Sequence, residues 1–461
     1  MTGDIRFWIV LFFVLRLYGI TNPPLEVAHN WRQTTVTMVA RNFYEADPSI
    51  LYPRIDIAGE KSGITGMEFP FLNYLIYLTS LIFGYAHWYG RLINLIISSI
   101  GLMYFYKLIL KYFDLKTAFN ATFILLFSVW FNYSRKVMPD TFSMSFVLAG
   151  IYYGSNYFDV KSNLKNLFLF FVLTLAGVLS KLPSAYLLVL FMFFIVNKKF
   201  EIRPKLIFFL AGSTCMSIVA LYYFYWVPYL TSTFGFQHFF MGKSIQTGFI
   251  ETMQHLSEAS EKFYLEALQI VGFLVFIIGV IMAIINKNKQ VLWIFGLCFA
   301  GFLVIIFKAG FVFYHHSYYI IPFAPVMALV AAYALGEIKN KKWTLVVLWL
   351  IASENLLNKF NDYHIKPDNL EILNLERDLG TCTNKNDLIL INSKNVPSPM
   401  YFAHHKGWVN SNEMISQTEY IQSLKSKGLK YIVILKKTFG ADMNLDYPIV
   451  FDCKDYKIYK L

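Results

Sequence analysis

The chain is short of charge. Only 15% of its 461 residues are Asp, Glu, Lys or Arg, where a soluble domain carries roughly 25%. In their place stand 56% hydrophobic and 18% aromatic residues, with a mean hydropathy of +0.47. Such a surface excludes a soluble globular domain and makes the bilayer the natural solvent. Cysteine is scarce too. Cys215 and Cys298 lie in apolar runs and read as packing residues, while Cys382 and Cys453 lie near the C-terminus. None has the close spacing of a zinc site; Cys382 and Cys453 read equally well as a disulfide or as two buried thiols. No Gly-rich phosphate loop interrupts the apolar runs, which argues against a nucleotide donor. No small-residue cleavage site follows the first run, so a retained helix is expected there. There is no clear internal repeat, and no basic stripe with interleaved aromatics. The net charge of +12 therefore does not point to nucleic acid.

The basic residues sit instead in short clusters between apolar runs, as the positive-inside rule predicts. Candidate spans cover 5–21, 88–110, 117–133, 141–158, 164–181, 183–197, 205–227, 266–286, 291–308, 317–335 and 342–358. Each is near the length that crosses ~30 Å of hydrocarbon, with 183–197 the shortest. A further run, Pro70 to Phe83, decides the topology. If it does not span, five clusters share one side with the N-terminus: Lys107/Lys111/Lys116, Lys161/Lys165, Lys198/Lys199/Arg203/Lys205, Lys287/Lys289 and Lys339/Lys341/Lys342. That arrangement is favoured, with 70–83 lying along the interface or re-entering. The expectation is an all-α polytopic membrane bundle of about eleven spans over residues 1–358. The N-terminus is then cytoplasmic, and long outer loops lie at 22–87 and 228–265.

Residues 359–461 read as a small α/β domain on the outer side. Strands are expected at Asp387–Asn392 and Tyr431–Lys436, a helix at Thr418–Lys427 ended by Gly428, and a terminal hairpin from Ile449–Asp452 and Tyr456–Leu461.

Ionisable groups concentrate at the outer ends. The first outer loop carries Glu26, His29, Trp31, Arg32, Gln33, Arg41, Asp56, Glu60 and Glu68. Within it, Thr34–Tyr44 has the spacing of a helix lying on the membrane surface. Ser134 to Asp140 places Arg135, Lys136 and Asp140 at one mouth of the bundle. The plain structural reading of Asp140 is a carboxylate favoured by a helix N-terminus. Lys181, before Pro183, reads either as a snorkelling lysine or as a functional cation that breaks the charge pattern. Further on come His238 and Lys243, then His315, His316, Tyr318 and Tyr319. Adjacent histidines on a helix point apart, so these two do not share one metal ion. Interfacial aromatic belts account for several of the tyrosines. Cations suit a phosphate, carboxylates suit proton transfer, and aromatics suit sugar faces or a lipid chain. Together they favour a membrane enzyme acting on a lipid-linked phosphate.

These stretches resemble the GT-C membrane glycosyltransferases, in particular the group of protein O-mannosyltransferases and the lipid A aminoarabinose transferase. The resemblance runs through His29-to-Tyr44, Glu68-Phe69-Pro70, Met138-Pro139-Asp140, Lys181-Leu182-Pro183 and His316 to Pro325. It implies inverting transfer of a sugar from a polyprenyl-phosphate donor to a glycan, lipid or protein acceptor on the outer side of the membrane. The compartment that it implies is the bacterial inner (plasma) membrane.

 Asp140 matches a functional Asp of the family. Glu68 matches a residue that helps hold a metal near the lipid phosphate in the aminoarabinose transferase, with His238 as its partner and zinc or manganese as the ion. Relatives carry an acidic pair where this chain has Arg32-Gln33, so either Asp56, Glu68 or Asp140 serves as the base or this member is inactive.

Asp56 is the expected base, in a flexible, outward-facing stretch between Pro53 and Gly59; Asp140 supports it and Glu68 suits phosphate or metal chemistry. Arg32, Arg135 and Lys181 are expected to bind the donor phosphate. His29, Trp31, His315, His316, Tyr318 and Tyr319 are expected to line the substrate pocket. A lipid-linked oligosaccharide polymerase or ligase, and a polyprenyl-lipid transporter, are the competing readings. The transporter would show internal repeats and polar groups at mid-membrane depth.

Overall fold

The computed structural model describes residues 3–159, 163–238, 240, 242–440 and 443–461. Lys161, part of one expected basic cluster, lies outside them. Along the chain run α1 (Ile5–Arg16), α2 (Asn30–Glu45), α3 (Phe71–Phe83), α4 (Tyr89–Tyr112), α5 (Leu115–Leu126), α6 (Val129–Tyr133), α7 (Pro139–Asp159) and α8 (Leu164–Ser180). Later come α9 (Ile202–Leu221), α10 (Gln269–Ile285), α11 (Lys289–Ala309), α12 (Ala324–Glu337) and α13 (Lys341–Lys359), with shorter helical turns between them.

The helices Tyr89–Tyr112, Ile202–Phe234, Lys289–Ala309 and Ser317–Glu337 are long and apolar enough to cross a bilayer. A fifth span results if Leu256–Ala267 and Gln269–Ile285, bent by 100° at their junction, count as one. The protein is an integral membrane protein. Several apolar runs are broken where a straight helix is expected. Run 117–133 divides into α5 and α6, because the Ser128 side chain accepts from the Trp130 amide and starts a new helix. Run 183–197 opens as a 3₁₀ segment, Leu182–Phe191, and run 317–335 opens as another, Ser317–Phe323, with Pro322 inside it.

The chain divides into two compact units. One comprises Met1–Ile20, Arg91–Phe224 and Phe240–Phe360. In it α7 lies against α8, and a Cβ at Gly177 would come within 2.8 Å of the Ser143 carbonyl oxygen, so glycine is what lets the two backbones approach.

The other unit comprises Thr21–Gly90, Tyr225–Phe239 and Asn361–Leu461. It joins to the C-terminal segment two stretches that the sequence reading assigned to the membrane part. Its sheet has the order β2-β1-β3-β5-β4, from β1 (Leu388–Ile391), β2 (Gly407–Val409), β3 (Leu429–Leu435), β4 (Ile449–Asp452) and β5 (Tyr456–Lys460). β1 pairs in parallel with β2 and β3, and β5 is antiparallel to β3 and β4. The expected strands, terminal hairpin and helix (observed as Thr418–Lys425) are all present; β2 was not foreseen. Cys382 and Cys453 are free thiols.

One core cluster of this unit joins Met38, Val39 and Phe43 of α2 to Ile389, Ile391 and Tyr401 of the C-terminal segment. Helix α2 is therefore not the surface helix expected at Thr34–Tyr44: it is buried from Arg32 to Arg41. Its threonines tolerate burial because Thr34, Thr35 and Thr37 hydroxyls donate to carbonyls one turn back. Helix α3 has 13 residues, about 20 Å at 1.5 Å per residue, which is shorter than the hydrocarbon core. Leu72, Asn73, Ile76 and Ser80 are buried, while Leu78, Leu81, Ile82 and Phe83 are exposed.

Candidate functional site

In the first unit, one cluster forms where two helices lose their regular hydrogen bonding. Pro139 opens α7 and Asp140 stands in its first turn. Helix α8 stops at Ser180, Lys181 is extended, and Pro183 cannot continue the α-helical ladder. The Ser143 hydroxyl bonds the Gly177 carbonyl at 2.7 Å and the Ser184 hydroxyl at 2.8 Å, fixing this break against α7. The Lys181 ammonium then lies 3.7 Å from an Asp140 carboxylate oxygen. It also faces the rings of Tyr318 and Tyr319, 5.3 and 5.7 Å from their centroids. The His316 ring stacks on Tyr318 at 5.2 Å, and the Tyr133 and Ser317 hydroxyls meet at 2.5 Å. Asp140 and Lys181 are both buried. A buried cation held by a carboxylate and framed by aromatic faces can receive an anion and the face of a sugar.

His315 is not part of this cluster. It is exposed, and its Nδ1 lies 3.0 Å from the Phe311 carbonyl. Arg135 is buried and donates to the carbonyls of Tyr18 and Gly19, just past α1. Arg91 donates to Ile20 and Arg16 to Asn132, so three guanidiniums fasten the exit of α1. A residue that the sequence reading missed holds the turn carrying Asp140. Asn94, fully buried on α4, donates to the carbonyls of Tyr133, Lys136 and Met138 at 3.0, 2.8 and 3.3 Å. Its own oxygen accepts from Ser98 and Thr141. The signal was present: Asn94 and Ser98 are polar residues four apart in an apolar run.

The second unit brings together Arg32, Glu68 and His238. Arg32 and Glu68 form a buried ion pair. Burial, then the charge of Arg32, push the His238 imidazole down to about 4 against the opposing pull of Glu68, so it is neutral at physiological pH. His29 precedes α2 in a left-handed conformation at φ 59°, with Trp31 in the first turn. Asp56 is neither flexible nor outward-facing. It is buried, 3.0 Å from Arg41 and 2.8 Å from the Asn42 amide. Its carbonyl accepts from the Gly407 amide, and Gly59 donates to the Gly407 carbonyl, which ties this stretch to β2.

Among the described residues, no three His, Cys, Asp or Glu side chains gather where a metal ion could be held. Glu68 is paired with Arg32, whose charge repels a divalent cation. The zinc or manganese site expected from Glu68 and His238 does not fit this donor set.

Residues 68–226 match the family described as dolichyl-phosphate-mannose-protein mannosyltransferase. Among solved structures, ArnT from Cupriavidus metallidurans in the apo state is similar over 99% of this chain and 98% of its own, at 10% identity and a TM-score of 0.62. The same protein bound to undecaprenyl phosphate matches over 98% of each chain, at 10% identity and a TM-score of 0.62. The Archaeoglobus fulgidus oligosaccharyltransferase in complex with Zn and sulfate is similar over 93% of this chain and 67% of its own, at 13% identity and a TM-score of 0.61. No curated protein sequence matches. The fold is the one that ArnT and the archaeal oligosaccharyltransferase share. The resemblance read from the sequence is thereby borne out, and Glu68, Asp140 and Lys181 all lie within the stretch matched by the family. The carboxylates of this chain differ in setting: Asp56 and Glu68 face guanidiniums, whereas Asp140 faces an ammonium.

Proposed function

We propose that the protein transfers a sugar, with inversion, from a polyprenyl-phosphate donor to a glycan, lipid or protein acceptor on the outer face of the membrane. The observation that carries this reading is the Asp140–Lys181 pair beside Tyr318 and Tyr319, within a GT-C fold. The undecaprenyl phosphate bound to the similar ArnT supports a lipid-phosphate ligand. An acceptor hydroxyl attacks the anomeric carbon as a carboxylate takes its proton, and the carrier phosphate leaves as an anion that needs a cation aimed at it. Lys181 supplies that cation, and Asp140 is the carboxylate beside it. Arg32 offers the same positive charge in the other unit, where the resemblance had implied a metal. Asp56 serves the fold.

The eleven-span topology, with the N-terminus cytoplasmic, the C-terminal segment periplasmic and the bacterial inner membrane as location, belongs to the same proposal. Cysteines placed singly at Lys289 and Glu60 should differ in labelling by an impermeant reagent, Lys289 protected and Glu60 labelled; the reverse pattern overturns it. For the site, the full chain is purified and binding of undecaprenyl phosphate is measured. Lys181→Ala should weaken it, and Lys181→Arg, which keeps a cation beside Asp140, should retain it. Asp140→Asn should keep binding and lower turnover by about 10²–10⁴-fold. Unchanged binding after Lys181→Ala, together with unchanged turnover after Asp140→Asn, refutes the assignment. Chelation should leave turnover intact.

A further inference from the structure

Away from Asp140, α7 borders a second site of different chemistry. A cavity of about 270 Å³ is lined by Ile109, Tyr112, Ile151, Phe194, Ile294 and Leu329, among others. Ile151 and Ser155 lie eleven and fifteen residues along α7 from Asp140, roughly 16–22 Å at 1.5 Å per residue. The polar side chains at its wall are engaged. Ser155 bonds Lys111 at 2.9 Å and the Tyr152 carbonyl at 2.8 Å, and Gln290 donates to the Tyr112 carbonyl at 3.2 Å. Water needs two to four polar partners and finds few here, so the cavity suits an apolar chain.

The elements that form its walls carry lysines close by in sequence. Lys107 and Lys111 flank the lining positions of α4, Lys198 and Lys199 follow Phe194, and Lys287 and Lys289 precede Gln290. Against these six stand Asp114, Asp159 and Glu201 on the same stretches, with Asp159 paired to Lys111 at 2.5 Å. Lys107, Lys198, Lys199, Lys287 and Lys289 are exposed.

We propose that this cavity binds one acyl chain of an anionic phospholipid whose head group rests on the lysine rim. An apolar slot calls for hydrocarbon, and the cationic excess calls for a negative head group. The assignment does not depend on the proposed reaction, because none of these residues belongs to the Asp140–Lys181 cluster.

The test uses the full chain, delipidated in detergent and then titrated with phosphatidylglycerol or phosphatidylcholine of identical acyl chains, with binding read by native mass spectrometry. Phosphatidylglycerol should bind tighter by about tenfold or more. A Lys198→Glu/Lys199→Glu/Lys289→Glu variant should lose that preference. Ile294→Trp, which fills the cavity, should lose binding of both lipids while retaining undecaprenyl phosphate binding. Because Ile294→Trp alters packing, the charge variant, confined to exposed residues, stands as an independent arm. Equal affinity for the two lipids in the parent protein, an unchanged preference in the charge variant, or competition of undecaprenyl phosphate for the same cavity each overturns the proposal.

Discussion

Replacing Asp56 separates a structural carboxylate from a catalytic base. Asp56 and Arg41 form a buried pair at 3.0 Å. Removing one partner of such a pair typically costs 3–5 kcal/mol, since the other charge stays buried. The lower end applies here. Arg41 keeps a 2.8 Å bond to the Tyr401 carbonyl and a cation–π contact at 4.5 Å from the Tyr401 ring, while Asp56 keeps Asn42. Asp56→Ala and Arg41→Ala should therefore each destabilise by about 3 kcal/mol, and the double variant by clearly less than the sum. Unfolding of a membrane chain is best followed as a rate. At a fixed temperature the single variants should inactivate faster by up to roughly a hundredfold, if the whole loss falls on the unfolding barrier. The assay is heat inactivation of the full chain in detergent, scored by size-exclusion chromatography beside turnover per folded molecule. Single variants as stable as the parent, but with turnover lost only on replacing Asp56, would refute this reasoning and restore Asp56 as the base.

Asn94 offers a second test. The Tyr133 and Lys136 carbonyls keep other donors, so Asn94→Ala should cost only the net value of two or three hydrogen bonds, about 1–3 kcal/mol. Asn94→Asp, which sets a carboxylate against three carbonyls, should be less stable still in thermal denaturation; the opposite order would contradict the geometry. His404 bridges Glu376 and Glu45 at 2.5 and 2.7 Å, and its hydrogen bond to Glu45 raises its pKa against the effect of burial. Its contribution is present below about pH 6.5 and is lost as pH rises through the raised value. Burial opposes ionisation of Glu45, but His404 and Lys385 hold its pKa down to about 2, so its contribution is lost as pH falls from 4.5 towards 2. A thermal-stability profile should thus decline on both the alkaline and the acid side, and His404→Gln should flatten the alkaline limb.

Local pattern determined much of this protein. Scarce charge and recurrent apolar runs require a bilayer whatever the side-chain contacts, and short apolar runs read as buried strands and a terminal hairpin match β1, β3, β4 and β5 close to their observed bounds. The ends of α7 and α8 were legible because Pro139 and Pro183 act on their own backbone. Tertiary structure alone decided the rest. That α2 is a core helix depends on a segment more than 300 residues away: Arg41 bonds Tyr401 and Thr34 meets Ser398, both on the short helix Ser398–Ala403, at sequence separations of 360 and 364. No local periodicity reports such contacts, so a helix with threonines on one side and apolar residues on the other reads as lying on the membrane surface. The same limit governs the site. Asp56, Glu68 and Asp140 look alike in sequence, because a carboxylate's role is set by the cation brought to it in space. Folding gives Asp56 to Arg41, Glu68 to Arg32 and Asp140 to Lys181.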